Sequence, residues 1–115
     1  MENNSDPIVR MAYAILLSAE KKRATEIWIR RDGAQALVSF KLDDAWCDEL
    51  EMPLAVHARV VRRIGVMASL PTYGKDQHAQ GTIVLEVGDR SLSFDVRVRG
   101  HGDALEAQLR PSPST

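Results

Sequence analysis

Residues 25–42 read TEIWIRRDGAQALVSFKL, and this stretch decides the fold. Ile27 and Ile29 alternate with other side chains, Arg31-Asp32-Gly33 predicts a turn, and a second alternating run continues to Leu42. A period of two indicates β-strands, because successive side chains of a strand point to opposite faces of the sheet. The stretch therefore predicts an antiparallel hairpin with one apolar face toward the core and Trp28 on the opposite face.

The residues before this hairpin predict an amphipathic helix that ends near Lys22. Asp6 offers a capping side chain, and Pro7 stands at the first helical position, where its missing N–H costs nothing. Apolar residues then recur at helical spacing, at Ile8, Met11, Ala12, Ile15, Leu16 and Ala19. We expect this stripe to cover one face of the sheet.

The rest of the chain predicts further strands and one more helix. The expected elements are an acidic third strand over Ala45–Glu51 at a sheet edge, a helix from Pro53 to about Leu70, a polar loop over Pro71–Gln80, and strands around Ile83–Val87, Leu92–Val98 and Leu105–Leu109. The order αβββαβββ predicts an α+β fold with an antiparallel sheet and two helices. We expect a polar lead-in over residues 1–5, one domain over residues 6–110, and a disordered tail or linker start over residues 111–115.

Composition narrows the class of protein further. The 115 residues carry 15 basic and 16 acidic side chains, for a net charge of −1, so no overall charge favours nucleic-acid binding. The single cysteine, Cys47, excludes an internal disulfide and fits a reducing compartment. No apolar run is long enough to span a bilayer, and the acidic, polar start is unlike a secretory signal. We therefore expect a cytoplasmic protein without membrane insertion.

The sequence offers no recognisable catalytic constellation. Gly74-Lys75 is followed by Asp76, whereas a nucleotide-binding P-loop needs Gly-Lys-Ser or Gly-Lys-Thr after a glycine-rich turn. The three histidines lie far apart, and one cysteine cannot complete a zinc site. We predict a protein that is not an enzyme, with no catalytic residues, no metal site and no cofactor.

Two features stand out as candidate contact residues. Arg59, Arg62 and Arg63 share a helix face, where their guanidinium groups either form a solvated surface or bind phosphate or carboxylate groups. Trp28 lies on the strand face opposite Ile27, where it is either covered by a helix or in contact with a partner. The sequence leaves both alternatives open.

Five short stretches together resemble a known domain. They read PIVR at 7–10, ATEIWIR at 24–30, SFKLDD at 39–44, RIGVMASL at 63–70 and DVRV at 95–98. In this order and spacing they resemble the PAS-like N-terminal domain, the second N-domain, of bacterial type II secretion and type IV pilus assembly ATPases. The resemblance covers about Asp6 to Arg110 and implies a PAS-like fold, with the family's motor domain expected to begin near Thr115.

The resemblance also has informative departures. Arginines of this domain in the family approach nucleotide held by the motor domain, and here only Arg97 matches such a position. The family's basic loop is reduced at residues 76–82, with Thr82 where an arginine is expected, and Trp28 replaces a usual histidine. The resemblance therefore implies the fold more firmly than the nucleotide contact.

We predict a non-catalytic interaction or regulatory module that binds a protein component of a secretion or pilus machine. The partner would be a secretion or pilus ATPase or a second copy of the chain, and nucleic acid is not expected. The predicted contact residues are Trp28, Arg59, Arg62, Arg63 and Arg97. The alternatives are a PAS-like small-molecule sensor and an excised N-domain of a full-length secretion ATPase.

Overall fold

The computed structural model describes residues 6–70, 76–101 and 104–112. The elements are α1 (Pro7–Lys21), β1 (Glu26–Asp32), β2 (Gln35–Leu42), β3 (Ala45–Pro53), α2 (Leu54–Met67), β4 (Asp76–Val87), β5 (Arg90–His101) and β6 (Glu106–Ser112). The predicted α+β class and the αβββαβββ order are therefore confirmed. Neither helix in the described ranges is long and apolar enough to cross a membrane.

All six strands form one antiparallel sheet in the order β3-β2-β1-β6-β5-β4. Each αβββ half contributes a three-stranded meander, and the halves join where the first strand pairs with the last, with Ile27 opposite Leu109. The acidic third strand lies at an edge of the sheet, as its charges predict.

Two-residue turns join β1 to β2, β2 to β3 and β4 to β5. Asp43 and Asp44 have φ values of 51° and 66°, the left-handed conformations that a tight hairpin turn requires. Aspartate tolerates this region better than most residues, because its side chain can bond to the local backbone. The turn between β2 and β3 therefore consists of two residues, Asp43 and Asp44.

One face of the sheet packs against both helices and contains the core. Helix α2 contacts β1, β2, β3, β5 and β6, and α1 packs against α2. Alternate strand side chains, such as Ile27, Ile29, Phe40 and Phe94, are almost completely buried beneath this layer. The Asp6 carboxylate caps α1 by accepting a bond from the Ile8 backbone N–H at 2.9 Å.

Helix α2 ends earlier than its periodicity predicts. Its last helical residue is Met67, because Ser69 adopts a left-handed conformation with φ of 61°. The Leu70 N–H then bonds back to the Gly65 carbonyl at 2.8 Å, which satisfies the end of the helix. Leu70 therefore belongs to the capping turn.

Strand β4 begins earlier than the sequence predicts. Residues 76–80, expected to be loop, pair with residues 97–101 of β5, and only 71–75 of the predicted loop lie outside the described residues. Pairing requires backbone groups rather than apolar side chains, so a polar segment can extend an edge strand. Strand β6, in the middle of the sheet, continues through Pro111 to Ser112, so the first two residues of the expected tail at 111–115 pair with β5, while residues 113–115 lie outside the described ranges.

Candidate interaction surface

The sheet face opposite the helices is uncovered within the described ranges. Strand alternation places Trp28 of β1, Gln108 of β6 and Arg97 of β5 on this face in one cross-strand row. Arg30 flanks Trp28 on the same strand, and Trp46 approaches it from β3. We call the outward side chains of Trp28, Arg30, Trp46, Arg97 and Gln108 the Trp28 face.

Trp28 is half-buried and is held by three different contacts. Its ring lies 5.6 Å from that of Trp46, at an interplanar angle of 58°. The Arg30 guanidinium carbon stands 4.1 Å from the Trp28 ring centre, within cation–π range. The indole Nε1–H donates to Glu106 Oε1 at 2.7 Å. Trp28 is therefore an aromatic surface with a fixed orientation.

A second set of polar contacts fixes the residues around Trp28. Arg30 donates to the Ser39 hydroxyl at 2.9 Å, and that hydroxyl donates to Asp48 Oδ1 at 2.8 Å. Ser39 is only 1% exposed, although it lies on the outward face. Glu106 also accepts a bond from Arg99 Nε at 3.0 Å. The cations next to Trp28 are thus held by hydrogen bonds or an ion pair within the chain.

Arg97 differs from these cations because it makes no direct polar contact among the described residues. Its side chain is exposed and has no ion pair or hydrogen bond within the described part of the chain. The amides of Gln80 and Gln108 flank it across the neighbouring strands. A shallow, polar depression of about 410 Å³ lies beside it, and its other charged lining residues are Glu26, Asp95 and Arg110. This arrangement can bind a carboxylate or another acceptor group.

The arginine cluster of α2 lies in the helical layer, on the other side of the sheet. Arg59 and Arg62 are exposed, whereas Arg63 is half-buried. The Arg63 Nε is buried without a hydrogen-bond partner among the described residues. The five candidate residues therefore form two separate surfaces: Trp28 and Arg97 share one, and the three helix arginines form the other.

His57, one of the three widely spaced histidines, is a buried residue of α2. Its side chain is completely buried, and Nε2 donates to the Leu105 carbonyl at 2.6 Å, which ties α2 to the segment before β6. The signal was present in the sequence, because His57 precedes Val60, Val61 and Ile64 at i+3, i+4 and i+7. That spacing places the imidazole on the apolar stripe.

Glu106 and Trp46 are contact residues that the sequence did not single out. Glu106 reaches Trp28 only because β6 pairs with β1, which brings together residues 78 positions apart. Trp46 reaches Trp28 across β2, next to an irregularity in the β2–β3 register between Val38 and Ser39. Local periodicity reports neither the strand order nor the register.

The described side chains form no cluster of three or more histidine, cysteine or acidic residues that could hold a metal ion. Cys47 is a free, half-exposed thiol on β3. The chemistry of the outward face is thus aromatic stacking, hydrogen bonding and charge.

Comparison with known proteins identifies the family. The profile of the family described as "Type II/IV secretion system protein" matches residues 1–100. The chain belongs to this family. The resemblance inferred from the five short stretches is therefore confirmed.

The similar proteins are bacterial and much longer than this chain. The type II secretion system protein HxcR of Pseudomonas aeruginosa is 33% identical over 107 residues, which cover 90% of this chain and 22% of that protein. The type II secretion system protein E of the same organism is 35% identical, over 85% of this chain and 19% of its own length. The type IV pilus assembly ATPase PilB of Myxococcus xanthus is 27% identical, over 80% of this chain and 16% of its own length. The chain spans about a fifth of the length of these relatives.

Proposed function

We propose that this domain is a non-catalytic interaction or regulatory module of a type II secretion or type IV pilus machine. It binds a protein component of that machine in the cytoplasm through the Trp28 face. The observation that carries the proposal is the uncovered sheet face, on which an oriented tryptophan and an arginine without an ion pair among the described residues lie in one cross-strand row. The proposal holds equally for a domain that acts alone and for one that contacts its neighbours within a longer protein.

The side chains of the Trp28 face are those that contribute most to protein interfaces. Tryptophan and arginine are enriched among residues whose truncation weakens binding strongly, because they bury a large area and form directed contacts. Trp46 remains 41% exposed next to Trp28, so a partner can still bury considerable aromatic area. Since the sheet and the polar contacts already fix Trp28, binding costs little additional side-chain entropy.

Arg97 adds a preference for the charge of the partner. An exposed guanidinium between two glutamine amides favours a partner surface that presents carboxylate or carbonyl oxygens. A secretion or pilus ATPase is the proposed partner, because the relatives of this chain are named as such ATPases or as proteins of the same systems. The module would then occupy the site where a related N-domain of the ATPase docks.

Direct binding measurements test the proposal. Affinity capture from the native bacterial lysate identifies a candidate machine component, which is then purified and titrated with the full chain by calorimetry. We expect Trp28→Ala to raise the dissociation constant by about 30-fold or more, the effect of losing a central aromatic contact. Tyr13→Ala is the control, because Tyr13 is an exposed aromatic residue of α1, in the helical layer on the other side of the sheet.

The helix arginines provide the contrasting outcome. We expect the Arg59→Ala, Arg62→Ala, Arg63→Ala triple variant to bind the same partner with nearly unchanged affinity, because these residues lie on the other layer. Loss of binding in the triple variant, together with unchanged binding by Trp28→Ala, would assign the interaction to α2. Circular dichroism of each variant separates loss of contact from loss of fold.

A further inference from the structure

The two outer strands of the sheet differ in how well their free edges are protected. Proteins discourage unwanted strand pairing with charges, prolines and irregularities on edge strands. Strand β3 has all three: Asp48, Glu49 and Glu51, a terminal Pro53, and a register irregularity opposite Val38/Ser39. The β3 edge is therefore blocked to a neighbouring strand.

The β4 edge has none of these features along its middle. Residues 77–85 contain no charged residue and no proline, and β4 pairs with β5 through twelve consecutive residues without a register shift. Val84 is 58% exposed, more than any other exposed large hydrophobic residue of the described chain. Within the described ranges no strand lies beyond β4 in the sheet. This edge presents a long, regular row of backbone groups.

The end of α2 holds β4 in this regular shape. A side chain at Gly81 would place its Cβ 2.7 Å from the Ala68 carbonyl oxygen and 2.8 Å from Leu70 Cδ2, so the strand lies closely against the helix end. Such close packing leaves no room for the strand to bulge toward the helix. A regular edge without charged residues is a template for another strand.

We propose that β4 pairs with β4 of a second copy of the chain, antiparallel, about a two-fold axis at Thr82. On the outward side this register places Thr82 opposite itself, Gln80 opposite Val84, and His78 opposite Glu86. On the helix side it places the small residues Gly81 and Ala79 opposite the large residues Ile83 and Leu85. Each unlike pair occurs twice by symmetry.

Neighbouring registers are less complementary. An axis at Gly81 would set Glu86 opposite Asp76 in the pairing, two acidic residues. An axis at Ile83 or Val84 would set the large side chain of Ile83 opposite itself or opposite Leu85 on the helix side. Size and charge complementarity therefore both select the axis at Thr82, and the product is one continuous sheet formed by two copies.

Sedimentation velocity of the full chain over a range of concentrations tests this pairing. We expect a monomer–dimer equilibrium in the wild type, with β4 amides gaining protection from hydrogen exchange as concentration rises. Thr82 is exposed and opposes itself across the axis, so Thr82→Lys should raise the dimer dissociation constant about fivefold or more. Thr82→Glu should do the same, whereas an equimolar mixture of the two variants should form a heterodimer.

Controls separate this edge from other surfaces. Glu51→Lys adds a lysine to the exposed side of β3 and should leave the dissociation constant unchanged. Trp28→Ala should also leave it unchanged, so that this inference and the proposed function can fail independently. Thermal unfolding confirms that each variant is folded, which matters for Thr82→Glu because Asp95 lies opposite it on β5.

Three results would overturn the proposal. One is a wild-type chain that stays monomeric up to about 1 mM. Another is a dimer that is insensitive to Thr82→Lys, and a third is a mixture of the two Thr82 variants that does not associate. Binding of an extended segment from a different protein along β4, in place of the second copy, would likewise overturn it.

Discussion

Replacement of Trp28 by phenylalanine tests whether the Trp28 face is held in place by the contacts described above. Phenylalanine retains a ring on the same strand but removes the indole N–H, which donates to Glu106 Oε1 at 2.7 Å. It also presents a weaker π-surface to Arg30, whose guanidinium carbon is 4.1 Å from the ring centre. Because Trp28 is only half-buried, the substitution creates little cavity in the core.

The expected loss of stability follows from these two contacts. A hydrogen bond to a carboxylate contributes about 1.5–3 kcal/mol, and the lower value applies because Glu106 keeps its bond to Arg99. The weaker cation–π contact adds about 0.5 kcal/mol. We therefore expect Trp28→Phe to lower the free energy of unfolding by about 2 kcal/mol, and the unfolding midpoint by roughly 6–10 °C.

Urea unfolding followed by far-ultraviolet circular dichroism measures this change, in the wild type and in a Glu106→Ala background. In that background the indole has lost its acceptor, so Trp28→Phe should lower the free energy of unfolding by only about 0.5 kcal/mol. An equal cost in both backgrounds would show that the Trp28–Glu106 bond contributes nothing. The idea of an oriented tryptophan would then lose its main support.

Three further substitutions test the packing around the site, each by urea unfolding. Gly81→Ala should lower the free energy of unfolding by about 1–3 kcal/mol, because the added methyl group clashes with the Ala68 carbonyl. An unchanged unfolding midpoint would show that the end of α2 shifts to accommodate the methyl group without loss of stability. His57→Ala should lower the free energy of unfolding by about 2–4 kcal/mol, because it leaves a cavity and an unpaired Leu105 carbonyl. A decrease below about 1 kcal/mol would contradict this account. Asp6→Ala should cost about 1 kcal/mol by removing the α1 cap, whereas Asp6→Asn, which keeps an acceptor, should cost much less.

The sequence was sufficient for the elements whose signals are local. Strict alternation located β1, β2 and β5, and Asp6-Pro7 located the start of α1. Alternation also placed Trp28 on the face opposite Ile27, although it could not tell whether a helix covered that face. Only the packing of both helices on the other side of the sheet leaves the tryptophan outward.

Predictions failed where a distant part of the chain decides the local structure. The polar residues at the start of β4 become a strand because β5 offers them a pairing partner. Helix α2 ends where Ser69 turns left-handed, which no helical pattern indicates. His57 is a different case: its spacing indicates the buried stripe of α2, whereas its partner, the Leu105 carbonyl, lies on a distant segment that local spacing does not report.

The central pairing of β1 with β6 affects how the chain can be made as well as how it is held together. During synthesis, β1 emerges from the ribosome early, whereas the strand that covers its free edge comes from residues 106–112. Until then the first half is an incomplete sheet whose edge strand carries Ile27 and Ile29. Contacts between residues so far apart in sequence also form slowly. Cotranslational folding of this domain must therefore wait for its last strand, and a chain that stalls shortly before that point exposes the middle of its sheet to aggregation.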